Sequence, residues 1–254
     1  MSVLPMLSKT TIKLIRSLDS RKGRRKEGLF IAEGPKLVHE LIDEFECVRL
    51  IATDAWQPYR TEIVSDEELQ RVSLLQSPQQ VLALFRIPQD ELPPVQIVKE
   101  QLCIALDGVQ DPGNLGTIVR LADWFGVEHI FCSTGTADIW NPKAVQATMG
   151  ALARVRVHYL DLTTYLRQLP ADVPVYGTSL KGNNLWTSSL SASGMIVMGN
   201  EGNGVSAEVD ALCRERLLIP NYPLGRQTTD SLNVAMATGI VLAEFRRRTH
   251  HLSY

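Results

Sequence analysis

The stretch IPNYPLGRQTTDSLNVAMATGIVLAEFRRR, from Ile219 to Arg248, decides how the rest of the chain is read. A short apolar run, Leu217-Leu218-Ile219, stops at Pro220. A polar segment carrying Pro223, Gly225, Arg226, Thr228, Thr229 and Asp230 follows, and a helix is expected to open at or near Ser231 and run to the arginine cluster. A strand that feeds a polar loop and then a helix N-terminus leaves unpaired backbone N–H groups at the C-terminal edge of a sheet, where α/β proteins bind small ligands. Ser231 and Asn233 sit at that edge, and Ala235, Ala237 and Gly239 behind them permit close packing. Taken alone, the stretch reads more simply as Ser231 capping a helix and Asn233 facing water in its first turn.

Two further segments change that balance. In LDGVQDPGNLGTIVRLADWFGV, residues 106–127, a strand ends at Asp107-Gly108, a Pro-Gly turn comes at 112–113, and Asn114 starts a helix that carries Gly116 and Arg120. An arginine there can grip a phosphate or carboxylate with its planar fork of donors, although most helical arginines only make salt bridges. In MIVMGNEGNGVS, residues 195–206, an apolar strand runs into Gly199-Asn200-Glu201-Gly202-Asn203-Gly204. Three glycines in six residues allow close approach of the backbone to a ligand, with N–H groups available to an acceptor. No Gly-Lys-Ser/Thr follows, and the acidic residue inside the loop would repel a pyrophosphate, so a ligand other than a polyphosphate is expected.

The chain has 254 residues, 44% hydrophobic and 21% charged, which suits one large or two modest globular domains. No run approaches the roughly 18 apolar residues of a membrane span. The opening MSVLPMLSKTTIKLIRS has no signal-peptide core or cleavage site, so a cytoplasmic protein without membrane attachment is expected. Cys47, Cys103, Cys132 and Cys213 are far apart and outside any Cys/His cluster, which favours buried reduced thiols over disulfides or a metal site. Net charge is −2, yet residues 1–30 carry eight basic side chains against Asp19 and Glu27. Arg21, Lys22, Arg24, Arg25 and Lys26 form a candidate phosphate-contacting surface, with a solvated basic tail as the plainer reading.

In order along the chain, residues 1–20 read as a helix and 28–34 as a short buried strand ending at a turn glycine, with a helix opening at Pro35. Strands at 47–52, 61–64 and 80–86 with a helix near 66–71 complete a small α/β unit, placed at 1–92. The Pro- and charge-rich 87–100 marks the boundary. From 101 to 254, strands at 102–106, 128–132, 155–158, 174–178, 194–198 and 215–219 alternate with helices near 114–125, 142–152, 161–168, 205–213 and 231–247. That alternation implies a mostly parallel sheet covered on both faces.

Together the three segments resemble the SpoU (TrmH) family of RNA ribose 2'-O-methyltransferases, in the SPOUT class. The matching residues are Asn114, Gly116, Arg120 and Ala122, then Gly199, Asn200, Glu201, Gly202 and Gly204, then Ser231-Leu232-Asn233-Val234 with Gly239. Gln146-Ala147-Thr148-Met149-Gly150-Ala151 with Arg154 also looks like a segment this family carries between its first two motifs. The likeness is close over 101–248, and 25–45 is similar to the family's N-terminal substrate-binding domain. The connection 220–231 departs from it in being longer and more polar.

The resemblance implies a parallel sheet with a deep C-terminal trefoil knot, preceded by a small α/β RNA-binding domain. It implies S-adenosyl-L-methionine as cofactor, held by Thr178, Met198, Gly199, Asn200, Gly202, Ile219 and Leu232, with no metal. Asn114, Glu201, Ser231 and Asn233 would position ribose, cofactor and Arg120. The family assigns the matching arginine as general base, but a guanidinium offers donors and no acceptor. Arg120 is therefore expected chiefly to clamp phosphate and developing alkoxide charge. The basic stretch 21–26, with Arg246-Arg247-Arg248, would face ribosomal or transfer RNA. A homodimer is implied, with Leu232, Met236, Ile240 and Ala243 on one side of the terminal helix as a contributor. The competing readings are an RNA-binding protein of the same fold without catalysis, and an ordinary doubly wound nucleotide enzyme, which the late position of the Gly-rich loop disfavours.

Overall fold

The computed structural model describes residues 7–89, 91–223 and 226–249, so Gly225 of the polar loop lies outside the described residues. The first half of the chain runs α1 Lys9–Ser17, α2 Arg21–Glu27, β1 Leu29–Glu33, α3 Pro35–Leu41, β2 Cys47–Ala52, β3 Glu62–Ile63, α4 Asp66–Val72, β4 Val81–Arg86, α5 Gln96–Glu100, β5 Leu102–Asp107 and α6 Pro112–Trp124. It continues with β6 His129–Ser133, α7 Pro142–Thr148, a 3-10 turn at Ala151–Ala153, β7 Arg156–Leu160, α8 Leu162–Gln168, β8 Val175–Asn184, β9 Gly194–Gly199, α9 Ala207–Asp210, β10 Glu215–Leu218 and α10 Val234–Thr249. Two compact units result, one from the described residues through Gln89 together with Asp138–Ala153, the other from the remaining chain.

The first unit holds a four-stranded sheet of order β1-β4-β2-β3, antiparallel except for the β2/β3 pair. One face packs Ile15, Leu18, Ile31, Leu69, Val72 and Leu84 from the sheet and from α1 and α4. Elsewhere in the unit an aromatic cluster gathers Phe30, Phe45, Phe85 and Trp140, with the Phe30 and Trp140 rings 4.7 Å apart. A boundary read at 87–100 does not anticipate that 138–153 packs with this unit; Trp140 and Asp138 tie it there.

The basic run 21–26 forms a short helix, which the sequence periodicity did not reveal. Its Gly23 is required by contact, since a Cβ there would lie 1.9 Å from the Ser17 carbonyl oxygen. Arg24 is only 2% exposed. Its guanidinium donates to Asp138 Oδ2 at 3.1 and 2.6 Å and to the carbonyls of Leu18 and Asp19 at 2.8 Å each. Arg24 is thus a structural cation, not part of an RNA-facing surface, because it is buried and four of its five N–H donors are engaged within the chain.

The second unit is a six-stranded, wholly parallel sheet of order β10-β8-β9-β5-β6-β7. β9 is buried along its whole length and β5 along all but its last residue, as expected of central strands with both faces covered. The chain steps outward from β5 through β6 to β7 and then returns to the other side of β5. That reversal places a topological switch point between β5 and β9, where α/β proteins open a ligand crevice beyond the strand ends.

Several boundaries shift for identifiable reasons. The helix expected to start at Asn114 starts at Pro112, because Asp111 caps it through Oδ1 on the Asn114 amide at 2.8 Å. The helix expected from Ser231 opens at Val234, with Asn233 Oδ1 accepting from the amides of Ala235 at 3.0 Å and Met236 at 3.2 Å. β8 runs to Asn184 instead of 178: Arg216 pairs with Gly177 but Leu217 with Asn183, so 178–182 loop out of register. The helix expected at 205–213 shrinks to α9.

Replacing Arg24 with Ala strands the Asp138 carboxylate and two carbonyls in the interior. The expected loss is about 3 kcal/mol, read as a lower urea midpoint by circular dichroism of the full chain. Arg25→Ala, at an exposed neighbour, should stay within about 0.5 kcal/mol of wild type.

Candidate active site

Three segments distant in sequence meet at the β5/β9 switch point through one chain of hydrogen bonds. Asn233 Nδ2 donates to Asn114 Oδ1 at 3.0 Å, and Asn114 Nδ2 donates to Glu201 Oε1 at 3.0 Å. Glu201 also accepts from the backbone amides of Gln110 at 3.3 Å and Asp111 at 3.5 Å. Beside it Asn200 Nδ2 donates to the Gly108 carbonyl at 2.8 Å. The loops after β5 and β9 and the start of α10 are thereby pinned to one another. Burial pushes the Glu201 pKa up, but the hydrogen bonds from Asn114, from its own amide and from Gln110 and Asp111 outweigh it and hold the carboxyl below its usual value. Glu201 is therefore an ionised acceptor already occupied by donors, suited to positioning Asn114 and poorly placed to take a proton.

The Gly-rich loop is closed on itself. Asn200 and Gly204 exchange backbone hydrogen bonds at 2.8 and 2.9 Å, while the amides of Gly202 and Asn203 donate to Asn200 Oδ1 at 2.9 and 3.0 Å. Those N–H groups are spent, which corrects the expectation that they are free for an acceptor. Gly199 is obligatory here, because a Cβ would fall 2.1 Å from the Gly204 carbonyl carbon.

Of the remaining candidates, Arg120 lies on α6 two turns beyond Asn114, exposed, and among the described residues no hydrogen bond or ion pair engages it. The salt bridge that would make it merely structural is absent among the described residues. Ser231 is exposed and joins the chain of bonds by neither of its side-chain roles; its carbonyl accepts from Thr229 Oγ1 at 3.4 Å. Met198 and Gly199 are buried at the end of β9, Asn200 is half-buried beyond it, Gly202 is exposed, and Thr178 Oγ1 donates to the Val197 carbonyl at 2.9 Å. Ile219 follows β10, and Leu232 is 50% exposed. β10, β8 and β9 are adjacent and parallel; Thr178 follows the Gly177–Val197 pair inside β8, Met198 is the last residue but one of β9, and Ile219 follows Leu218, which pairs with Asn184.

In the first unit Arg21, Lys22, Arg25 and Lys26 are exposed. The C-terminal arginines are not free. Arg246 donates to the carbonyls of Phe125 at 2.6 Å and Gly126 at 2.7 Å, Arg247 pairs with Glu244, and Arg248 bonds Glu244 and the carbonyls of Ser188 and Trp186. Arg246 and Arg248 secure α10 to the C-terminal end of α6 and to the 186–188 turn, which removes these two from the expected RNA face, whereas Arg247 pairs within its own helix and stays exposed. Burial pushes the Cys103 and Cys213 thiols up to about 12, and all four cysteines are free. Among the described residues, no His/Cys/Asp/Glu group could hold a metal ion and no helix is long and apolar enough to cross a membrane.

Two residues escaped the sequence reading. Asp111 orients Asn114 by capping α6, and the order Asp-Pro-Gly could have disclosed it as a cap followed by a first-turn proline. Asp107 Oδ2 accepts from the Ser206 amide at 2.8 Å and so fixes the exit of the Gly-rich loop, a contact without a local signal.

Residues 101–243 match the SpoU rRNA Methylase family, and residues 9–83 match the MRM3-like substrate binding domain. The chain belongs to the SpoU rRNA methylase family. It is 31% identical over 245 residues to the 23S rRNA (guanosine(2553)-2'-O)-methyltransferase RlmP of Bacillus subtilis, covering 92% of this chain and 95% of that protein. A TrmH-family structure from Porphyromonas gingivalis superposes with a TM-score of 0.85 at 41% identity, over 96% of this chain and 100% of the other. An AdoMet-bound rRNA methyltransferase from Sinorhizobium meliloti gives 0.83 at 30% identity, over 96% and 97%.

Two substitutions separate the two jobs of Asn233. Asn233→Ala removes a helix cap and should cost about 1 kcal/mol in denaturant titration. Asn233→Asp keeps the cap but faces Asn114 Oδ1 with an acceptor, so stability should hold while methyl transfer falls about tenfold or more. For Glu201, whose folded pKa is depressed, the stabilisation is complete above the ordinary carboxylate range and is lost as pH falls through the lower native value. Cofactor affinity measured by calorimetry should accordingly be flat from this group near neutrality and decline only below the ordinary carboxylate range.

Proposed function

We propose that this chain transfers a methyl group from S-adenosylmethionine to the ribose 2'-hydroxyl of a nucleotide in ribosomal or transfer RNA. The observation that carries the proposal is the Asn233–Asn114–Glu201 chain, which joins three loops at the switch point and leaves the Arg120 guanidinium nearby on the same helix without a partner. The residues present suit the cofactor. The 199–204 loop has no free amide cluster for a polyphosphate, whereas the neighbouring strand ends offer Ile219, Met198 and Leu232 to an adenosine and an anionic Glu201 close to where a sulfonium would be welcome. S-adenosylmethionine supplies a methyl group activated on sulfur for in-line displacement by an oxygen nucleophile. Thr178, Met198, Gly199, Asn200, Gly202, Ile219 and Leu232 are the residues assigned to hold it.

The protein's own contribution is alignment and charge. Asn114 retains a second Nδ2 hydrogen, and Asn233 likewise, so each can donate to a ribose oxygen while held in place by the other. Arg120 meets the phosphate beside the target ribose and stabilises charge growing on the 2'-oxygen. Ser231, on the exposed loop before α10, is assigned to the same ribose. The first unit is assigned to RNA, with Arg21, Lys22, Arg25 and Lys26 as phosphate contacts.

A homodimer accords with the apolar side chains left uncovered on α6 and α10: Trp124 is 83% exposed and Met236 64% exposed, in line with Arg120 and Leu232 respectively. A trefoil knot at the C-terminus and a cytoplasmic location belong to the same reading. Incubating the protein with labelled S-adenosylmethionine and total RNA, followed by mapping of ribose positions protected from alkali, should yield a discrete 2'-O-methyl site. Binding of RNA without any transfer would instead favour the non-catalytic relative. Arg120→Ala should leave the melting temperature unchanged and lower transfer about a hundredfold, and Arg120→Lys should recover little of it, since a lysine cannot reproduce the fork.

A further inference from the structure

The first unit contains a cavity of about 840 Å³ formed by the β1–α3 junction, α4, the 78–80 loop and the end of α7. That volume lies in the range of small-ligand sites. Four glutamines, Gln70, Gln79, Gln80 and Gln146, line it, and none of their side-chain amides has a hydrogen-bond partner among the described residues. An unpartnered amide presents two donors and one acceptor with two lone pairs, and four of them around one space make a lining that is neutral and able to pair in either sense. Lys36 stands at the same cavity, also unpaired, and Asp66 is the anion there. The Glu33 carboxyl is turned away, accepting from Ser73 Oγ and from the Leu74 amide.

Two backbone features show that the cavity is built. Gly34 has a φ of 98°, and a Cβ there would lie 2.5 Å from Gln79 Oε1, so only glycine lets that amide stand where it does. Met149 ends α7 at a φ of 52°, a left-handed position that favours Gly or Asn and costs a methionine about 1 kcal/mol. It is 48% exposed and lines the cavity. Strain of this kind concentrates at functional sites, and a methionine side chain is a soft, polarizable surface for a flat ring.

We propose that this cavity receives a single unstacked nucleobase of the RNA, its edge read by the glutamine amides, its face against Met149 and its flanking phosphate on Lys36. The inference rests on the RNA reading above and deepens it. Neutral amides with both donors and acceptors match the edges of bases, as glutamine does with adenine, and single-stranded bases splayed from RNA are bound by such pairing with stacking. A phosphate is a poorer occupant, because Asp66 faces the same space and Lys36 is the one cation lining it.

The test uses the full chain and filter binding of labelled total RNA over a salt series. Gln146→Trp, which puts an indole into the cavity beside Met149, should weaken binding at least about tenfold, and Gln79→Ala, which removes one exposed amide, about threefold. In Gln79→Ala the slope of affinity against salt should not change, since a base contact releases no counterion, whereas in Gln146→Trp, which keeps the base and its flanking phosphate away from Lys36, it should fall by about one. The urea midpoint by circular dichroism should stay that of wild type, which excludes misfolding of the first unit, and calorimetric affinity for S-adenosylmethionine should be unchanged. RNA affinity within twofold of wild type in both variants, or a reduced salt slope in Gln79→Ala, overturns the proposal. If wild type binds RNA with this sensitivity but transfers no methyl group, the methyltransferase reading fails and the cavity assignment stands. If wild type binds no RNA, both fall.

Discussion

The second unit depends on one polar connection, the bond from Asn233 to Asn114 and from Asn114 to Glu201. Each of these groups sits on a different loop or helix start, and in sequence Asn114 is 87 residues from Glu201 and 119 from Asn233. A parallel sheet brings strand ends together but leaves the loops beyond them free to diverge. What closes them here is a carboxylate whose oxygens take donors from Gln110, Asp111 and Asn114 at the start of α6, and an asparagine that accepts on one side and donates on the other. Net hydrogen-bond energies of about 1 kcal/mol each would not by themselves hold loops together. The connection is secure because each participant is also fixed locally: Asp111 caps the helix under Asn114, Asn233 caps α10, and the Gly-rich loop is bonded across its own mouth.

That local fixing changes what the site can do. A loop whose amides are consumed internally cannot cradle a polyphosphate, and a carboxylate held below its usual pKa by surrounding donors is a weak base. The structure therefore withdraws two roles that the residue types alone would allow. What is left is a rigid frame with spare amide hydrogens on Asn114 and Asn233, apolar strand ends beside them and a free guanidinium. Such a frame suits a reaction that requires alignment and stabilisation of one developing charge.

Most strands and the parallel sheet were legible, because buried strands such as those read at 102–106 and 194–198 carry no charged or strongly polar residue and alternate with amphipathic helices. Three site residues, Asn114, Glu201 and Asn233, could be named from their motifs, but not their order in the hydrogen-bond chain. What could not be read were features that depend on distant contact. Arg24 looked like its neighbours in RKGRRK until Asp138, far along the chain, proved to be its partner. Residues 138–153 read as part of the second domain because their packing against Phe30 leaves no mark on local composition. The excursion at 178–182 was hidden because the flanking residues are strand-like and the register jump is set by β10.

The arginines give the most direct lesson in separating structure from chemistry. Arg24, Arg246 and Arg248 each have their donors committed to carbonyls or carboxylates of the same chain, and a committed fork cannot also bind a substrate phosphate without breaking what it holds. Arg120 has made no such commitment, although Asp123 lies three residues ahead on the same helix. That carboxylate is taken by Arg154, through paired bonds of 2.9 Å. A bidentate partner is the stronger competitor for a single carboxylate, so the Arg154–Asp123 pair keeps Asp123 from folding back on Arg120. The free guanidinium is in this sense a product of the surrounding ion pairing: the neighbour that would neutralise it has been satisfied elsewhere, and its charge remains available to an anion arriving from outside.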